Sequence, residues 1–191
     1  MTSRESLLSI VSTIGSQTGY INLLVNNSGI SGPMVNLSSA IADIKDLQKI
    51  LWDSTPEAFQ GTFNVNVTAV YYTTVAFLDL LDKGNKKGNT PGVTSQVVTM
   101  SSLAGFRRDA AQMAIAYSIS KAAATHLGKI LANVLKDWDI RSNIIAPGLY
   151  PSEMMNSAFD LPDKIPKSIV PAQRIGTDED MVGYICMLWM Y

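Results

Sequence analysis

Ile21-Asn22-Leu23-Leu24-Val25-Asn26-Asn27-Ser28-Gly29 is an apolar run that breaks off into small polar residues. A short apolar run bounded by turn formers reads as a strand covered on both faces, as in a parallel sheet. Two other runs share the pattern. Ser95 to Met100 ends in Ser101-Ser102, and Ile140 to Ala146 ends in Pro147-Gly148. All three ends suit a site at the carboxyl edge of a sheet.

Helical patterns separate these strands. Ser6 to Ser16 places Leu7, Leu8, Val11 and Ile14 on one face. Thr55-Pro56-Glu57 supplies a cap, a first-turn proline and a first-turn acid. The helix it opens runs through Phe59, Phe63, Val67 and Tyr71 to about Leu81. Gly84 to Gly92 is rich in turn formers and is expected to be a loop. A long helix is expected from Ala114 to Leu135, and a last one from Thr177-Asp178-Glu179 through Met181, Ile185 and Leu188. Alternation of this kind indicates an α/β fold with a parallel sheet and right-handed crossovers. Ser152 to Val170 holds Pro162 and Pro166 and is expected to form a mobile segment over the site.

Composition narrows the function classes. Of the 191 residues, 47% are hydrophobic and 16% charged, which fits a globular domain. The formal net charge is −1 and there is no basic run, which argues against nucleic acid as a partner. The single cysteine, Cys186, has no internal partner, and no metal-ligand spacing exists. The single histidine, His126, falls inside a helical pattern and reads as an ordinary helix residue. No secretory start and no apolar stretch of about eighteen residues is evident, so a cytoplasmic protein outside the membrane is expected.

Tyr117-Ser118-Ile119-Ser120-Lys121 is the chemical centre of the sequence. Residues four apart share a helix face, so the lysine ammonium can favour the ionised phenol and make Tyr117 a usable acid or base. Fifteen residues upstream, Ser102 stands at a strand end, where a hydroxyl can bond a carbonyl oxygen and a developing alkoxide. Further upstream, Asn66 sits mid-helix in Asn64-Val65-Asn66-Val67, and its amide needs partners. Holding a water that connects to Lys121 would give it a role in proton supply; helix capping or bending is the alternative use.

These residues, with Asn26-Asn27-Ser28-Gly29 and Asn143 to Gly148, resemble the short-chain dehydrogenase/reductase family. That family shows Asn-Asn-Ala-Gly after its fourth strand, where this chain has Ser28 for the alanine. Its Asn, Ser, Tyr, Lys tetrad falls on Asn66, Ser102, Tyr117 and Lys121. The resemblance implies hydride transfer between NAD or NADP and a small-molecule carbonyl or alcohol. Tyr117 would exchange the proton, Lys121 would tune it and bind the nicotinamide ribose, Ser102 would orient the substrate, and Asn66 would hold a relay water. Asn27 and Gly29 would flank the adenine-side ribose, Pro147 and Gly148 would lie beside the nicotinamide, and Ser152 is the nearest match to a cofactor-contacting hydroxyl.

The family's Thr-Gly-x-x-x-Gly-x-Gly turn has no counterpart here. Gly15-Ser16-Gln17-Thr18-Gly19-Tyr20-Ile21 imitates its spacing, but a strand follows instead of a helix. By the resemblance, residues 1–191 form a single, incomplete Rossmann-like domain: the catalytic half, truncated at the N-terminus so that the glycine turn is absent, and short at the C-terminus. It should hold about three core strands flanked by helices, with the strand at Ile21 to Val25 left as an edge. Three functions fit such a chain. The first is an oxidoreductase whose cofactor site is completed elsewhere. The second is a cofactor-independent isomerase or cyclase. The third is a non-catalytic module that forms a homo-oligomer or pairs with a full-length relative through its two long helices.

Overall fold

The three apolar runs form one parallel sheet in the computed structural model, which describes residues 3–37, 41–87, 92–108, 112–154, 165–168 and 170–190. Helix α1 is Arg4–Gln17, capped by Ser3, and strand β1 is Leu23–Asn26. A short strand β2, Val35–Asn36, and helix α2, Ile44–Trp52, follow. Helix α3, Pro56–Phe63, passes through a π-helical turn at Asn64–Thr68 into α4, Ala69–Lys87. Then come β3, Gln96–Met100, a 3₁₀ turn at Leu103–Gly105, β4, Gln112–Met113, and the long α5, Ile115–Leu135. Strand β5 is Arg141–Ile145, and α6 is Asp178–Met190.

The sheet order is β1-β3-β5, with Val25 opposite Val98 and Val98 opposite Asn143. The central strand is the apolar one: Val97 and Val98 are fully buried. Strand β1 is one of the two outer strands of this order, and Val25 is exposed there. Helices α4 and α5 bury Phe77, Leu80, Leu81, Leu131 and Leu135 around Val97 and Ile140. The three strands end side by side, so Asn26, Met100 and Ile145 deliver their following residues to one edge. The chain divides into two compact units, Met1–Ala146 and Pro147–Tyr191, and the whole sheet lies in the first. In the second, Met181, Ile185 and Leu188 are half-buried along α6, the face its periodicity predicts.

Two features depart from the sequence reading. Gly84 to Lys87 continue α4 and do not begin a loop; residues 88–91 lie outside the described residues. Gly84 is in the helix for close approach, because a Cβ there would stand 2.1 Å from the Ile21 carbonyl oxygen. Asn85 holds this last turn by donating to the carbonyls of Trp138 and Asp139 at 2.9 and 3.1 Å and accepting from Ser95 N at 2.6 Å. Ion pairs Lys83–Asp79 and Lys86–Asp82 add i,i+4 support. The second departure is α2 and the antiparallel β2–β4 pair, which the sequence reading does not include; Ile44, Leu47, Ile50 and Leu51 recur at helical spacing, yet α2 buries no residue. Of the segment Ser152 to Val170 expected over the site, residues 155–164 and 169 lie outside the described residues. The glycine-spaced stretch at Gly15 is a helix end turning into a strand: Gly15 lies within α1, and Gly19 has φ +79°.

Candidate active site

The middle strand carries the site. Beyond Met100, Ser101 is buried and its hydroxyl meets α5. The Ser101 and Thr125 hydroxyls converge on the Lys121 carbonyl at 2.9 and 2.8 Å and lie 2.6 Å apart. The other end of Lys121 returns to the same strand, since its Nζ donates to the Met100 carbonyl at 2.7 Å. The lysine is therefore tied to the tip of β3 by both its backbone and its ammonium. Only 5% of it is exposed, and burial pushes its pKa down from 10.5 to about 8. A charge is costly to bury, so the neutral form gains. At neutral pH the group still carries its proton.

Tyr117 sits one turn earlier on α5. Its ring centroid is 5.6 Å from the Lys121 Nζ. The side chain is half-buried, and its hydroxyl makes no hydrogen bond among the described residues. Ser102, also half-buried, caps the 3₁₀ turn by accepting from Ala104 N at 3.1 Å. That bond uses an oxygen lone pair and leaves the hydroxyl hydrogen free to point elsewhere. The turn rests on α5 at Gly105, where a Cβ would stand 2.8 Å from Ala122 N.

Asn66 joins this edge from the turn between α3 and α4. It is 1% exposed and lies in the π-helical turn. Asn64-Val65-Asn66-Val67-Thr68 mixes β-branched residues with side chains that compete for backbone groups, so the regular helix yields here. The Asn66 Oδ1 accepts from Ile30 N at 2.9 Å, and its Nδ2 donates to Ile30 O and to Ser120 Oγ, both at 2.9 Å. The amide thus fixes the chain leaving β1. Gly29 lies between these groups: a Cβ added to it would be 3.3 Å from both Asn66 Oδ1 and Lys121 Nζ.

Gly29, Asn66, Tyr117 and Lys121 are brought together by these contacts, and Ser102 stands two residues beyond the last residue of β3. Asn27 is exposed beside Gly29, while its neighbour Asn26 is buried and donates to Thr74 Oγ1 at 3.0 Å. Pro147, Gly148 and Ser152 belong to the second unit, where Pro147 is half-buried and Gly148 and Ser152 are exposed. His126 and Cys186 are exposed. No group of three His, Cys, Asp or Glu among the described residues could hold a metal. No described helix is long and apolar enough to cross a membrane. Sequence reasoning missed Ser101, Thr125 and Ser120. The Asn66 amide called for buried partners, but no spacing in the sequence singled out Ser120.

Comparison with known proteins gives a consistent picture. The family model described as short chain dehydrogenase matches residues 1–162. Short-chain dehydrogenase/reductase PhomF of Diaporthe leptostromiformis is 44% identical over 193 residues, covering 98% of this chain and 64% of the relative. Short-chain dehydrogenase/reductase VdtF of Byssochlamys spectabilis is 39% identical over 209 residues, covering 98% of this chain and 68% of the relative. Among solved structures, the Pseudomonas aeruginosa RhlG/NADP active-site complex superposes with a TM-score of 0.75 at 25% identity, over 96% of this chain and 64% of that one. The chain therefore spans about two thirds of the length of these proteins.

Proposed function

Because the chain belongs to the short-chain dehydrogenase/reductase family, a family of oxidoreductases, we propose that its first unit carries the proton-transfer site of a nicotinamide-dependent reduction of a carbonyl or oxidation of an alcohol. The observation that carries this reading is the Lys121 ammonium. It is buried, bonded to the strand tip, beside the bare edge of Gly29 and below the Tyr117 ring.

The residues present fit a nicotinamide nucleotide. Met100 takes one of the three ammonium hydrogens, which leaves two for ribose hydroxyls or water. Gly29 lets the backbone approach that ammonium closely, since a Cβ there would stand 3.3 Å from it. Within the first unit, Lys121 and Tyr117 would hold the nicotinamide ribose, and Asn27 and Gly29 the adenine-side ribose. When bound, NAD or NADP supplies or accepts the hydride.

The chain's own groups manage the proton and the oxygen. In the reducing direction, the Tyr117 phenol gives its proton to the substrate oxygen, and the adjacent Lys121 charge stabilises the phenolate left behind. Ser102 donates its free hydroxyl hydrogen to the same oxygen as negative charge develops there. Asn66 has both amide hydrogens committed, so its remaining Oδ1 lone pair is what it offers a relay water near Lys121.

The test is turnover. The protein is mixed with NADPH or NADH and a panel of ketones and aldehydes, and the loss of nicotinamide absorbance is followed. Tyr117→Phe should lower the rate by about 1,000-fold while leaving the fold intact. Turnover that needs Tyr117 but no nucleotide would replace this reading with a cofactor-independent isomerase. No Tyr117-dependent turnover in either format would leave the association module as the better account.

A further inference from the structure

We propose that Ser120 is a positioning residue that locks the segment leaving β1 to the first turn of α5, so that the Gly29–Ile30 backbone and Tyr117 are held as one rigid piece. Ser120 is fully buried. Its hydroxyl accepts from Asn66 Nδ2 at 2.9 Å and donates to the Tyr117 carbonyl at 2.7 Å. Asn66 in turn grips both backbone groups of Ile30. A continuous chain of hydrogen bonds therefore runs from Ile30 through Asn66 and Ser120 to Tyr117.

Each end of this chain matters to a different part of the site. At one end is Gly29, packed so closely on Asn66 and the Lys121 ammonium that a Cβ there would stand 3.3 Å from each. At the other is the residue that bears the phenol. Ser120 itself touches neither the reacting groups nor solvent, so its contribution is geometric. The hydroxyl is suited to the task because it accepts and donates at once, and both of its partners are inside the protein. Replacing it by a methyl group removes the donor to Tyr117 and leaves one Asn66 N–H buried without an acceptor. The amide then regains freedom to turn, and the Ile30 bonds loosen with it. The consequence for nucleotide binding rests on the oxidoreductase reading; the clamp itself does not.

The experiment separates the two. Amide hydrogen exchange is measured by NMR in the unliganded protein, wild type against Ser120→Ala. The Ile30 amide, held by Asn66, should exchange at least about tenfold faster, while Val97 and Val98 in β3 keep their wild-type rates. NADPH and NADH titrations should then show a Kd at least about fivefold higher in the variant. Unchanged Ile30 exchange in the folded variant overturns the proposal, and so does an equal acceleration of Ile30, Val97 and Val98, which would mean general loosening. Faster Ile30 exchange with no nucleotide signal even in the wild type would support the clamp and remove the oxidoreductase reading. If Ser120→Ala does not fold, Ser120→Cys, close in shape but a weak hydrogen-bonding group, carries the same exchange measurement.

Discussion

Lys121 and Tyr117 stand one helical turn apart on α5, yet their surroundings differ sharply. Lys121 is buried, and both its carbonyl and its ammonium are bonded to or beside the tip of β3. The groups around it, Asn66, Ser101, Ser120 and Thr125, are buried and partnered as well. Tyr117 and Ser102 are half-buried, and each keeps a hydroxyl hydrogen free of the fold among the described residues. The buried side is built before anything binds. The open side leaves its hydrogen-bonding capacity for a guest. Preorganised groups at one side and unspent donors at the other are what a site needs to stabilise charge that appears only during reaction.

Removing the buried charge is the strongest way to break this contrast. Lys121→Met should lower turnover by about 100-fold or more. The same change should stabilise the fold at pH 7. The folded pKa of about 8 lies below the ordinary 10.5, so between these values the unfolded chain binds the proton more tightly. The penalty is full below about pH 8 and fades as pH rises toward 10.5. At pH 7 the gain should be about 1–3 kcal/mol, the Met100 hydrogen bond offsetting part of the burial cost. Urea unfolding of both proteins at pH 7 and pH 10.5 checks this: the advantage of the variant should shrink at the higher pH. A variant less stable than wild type at pH 7 would mean that Lys121 is a structural asset and no functional liability.

A smaller effect sharpens the other side. Ser102→Ala should cost about 100-fold in turnover at most, because one donor to the oxygen is lost. It should cost about 1 kcal/mol or less in stability, because the only fold contact removed is the cap on a single 3₁₀ turn. Kinetics and denaturation on the same sample separate the two. A large loss of stability with unchanged kinetics would place Ser102 with the buried groups.

The two sides were also unequally legible in the sequence. Tyr117, Lys121 and Ser102 announce themselves by spacing and by their place at a helix turn and a strand end. The three strands were legible because β1, β3 and β5 are covered apolar runs with abrupt polar ends. Ser120 and Thr125 were not legible. A serine or threonine on a helix has many ordinary uses, and only the fold shows which of them meets Asn66 or the end of β3. The extension of α4 through Gly84 was hidden for a related reason. Glycine reads as a breaker locally, and its role depends on the Ile21 carbonyl far away in the chain. The π turn at Asn66 lies between: the need for partners was visible, their identity was not.

The role of Lys121 can be probed directly by titrating the wild-type protein and Lys121→Met with NADPH and with NADH, following nucleotide fluorescence. The account predicts saturable binding of at least one nucleotide to the wild type and a Kd higher by about tenfold or more in the variant. Saturable binding that is indifferent to Lys121, or no binding of either nucleotide to the wild type, would contradict it.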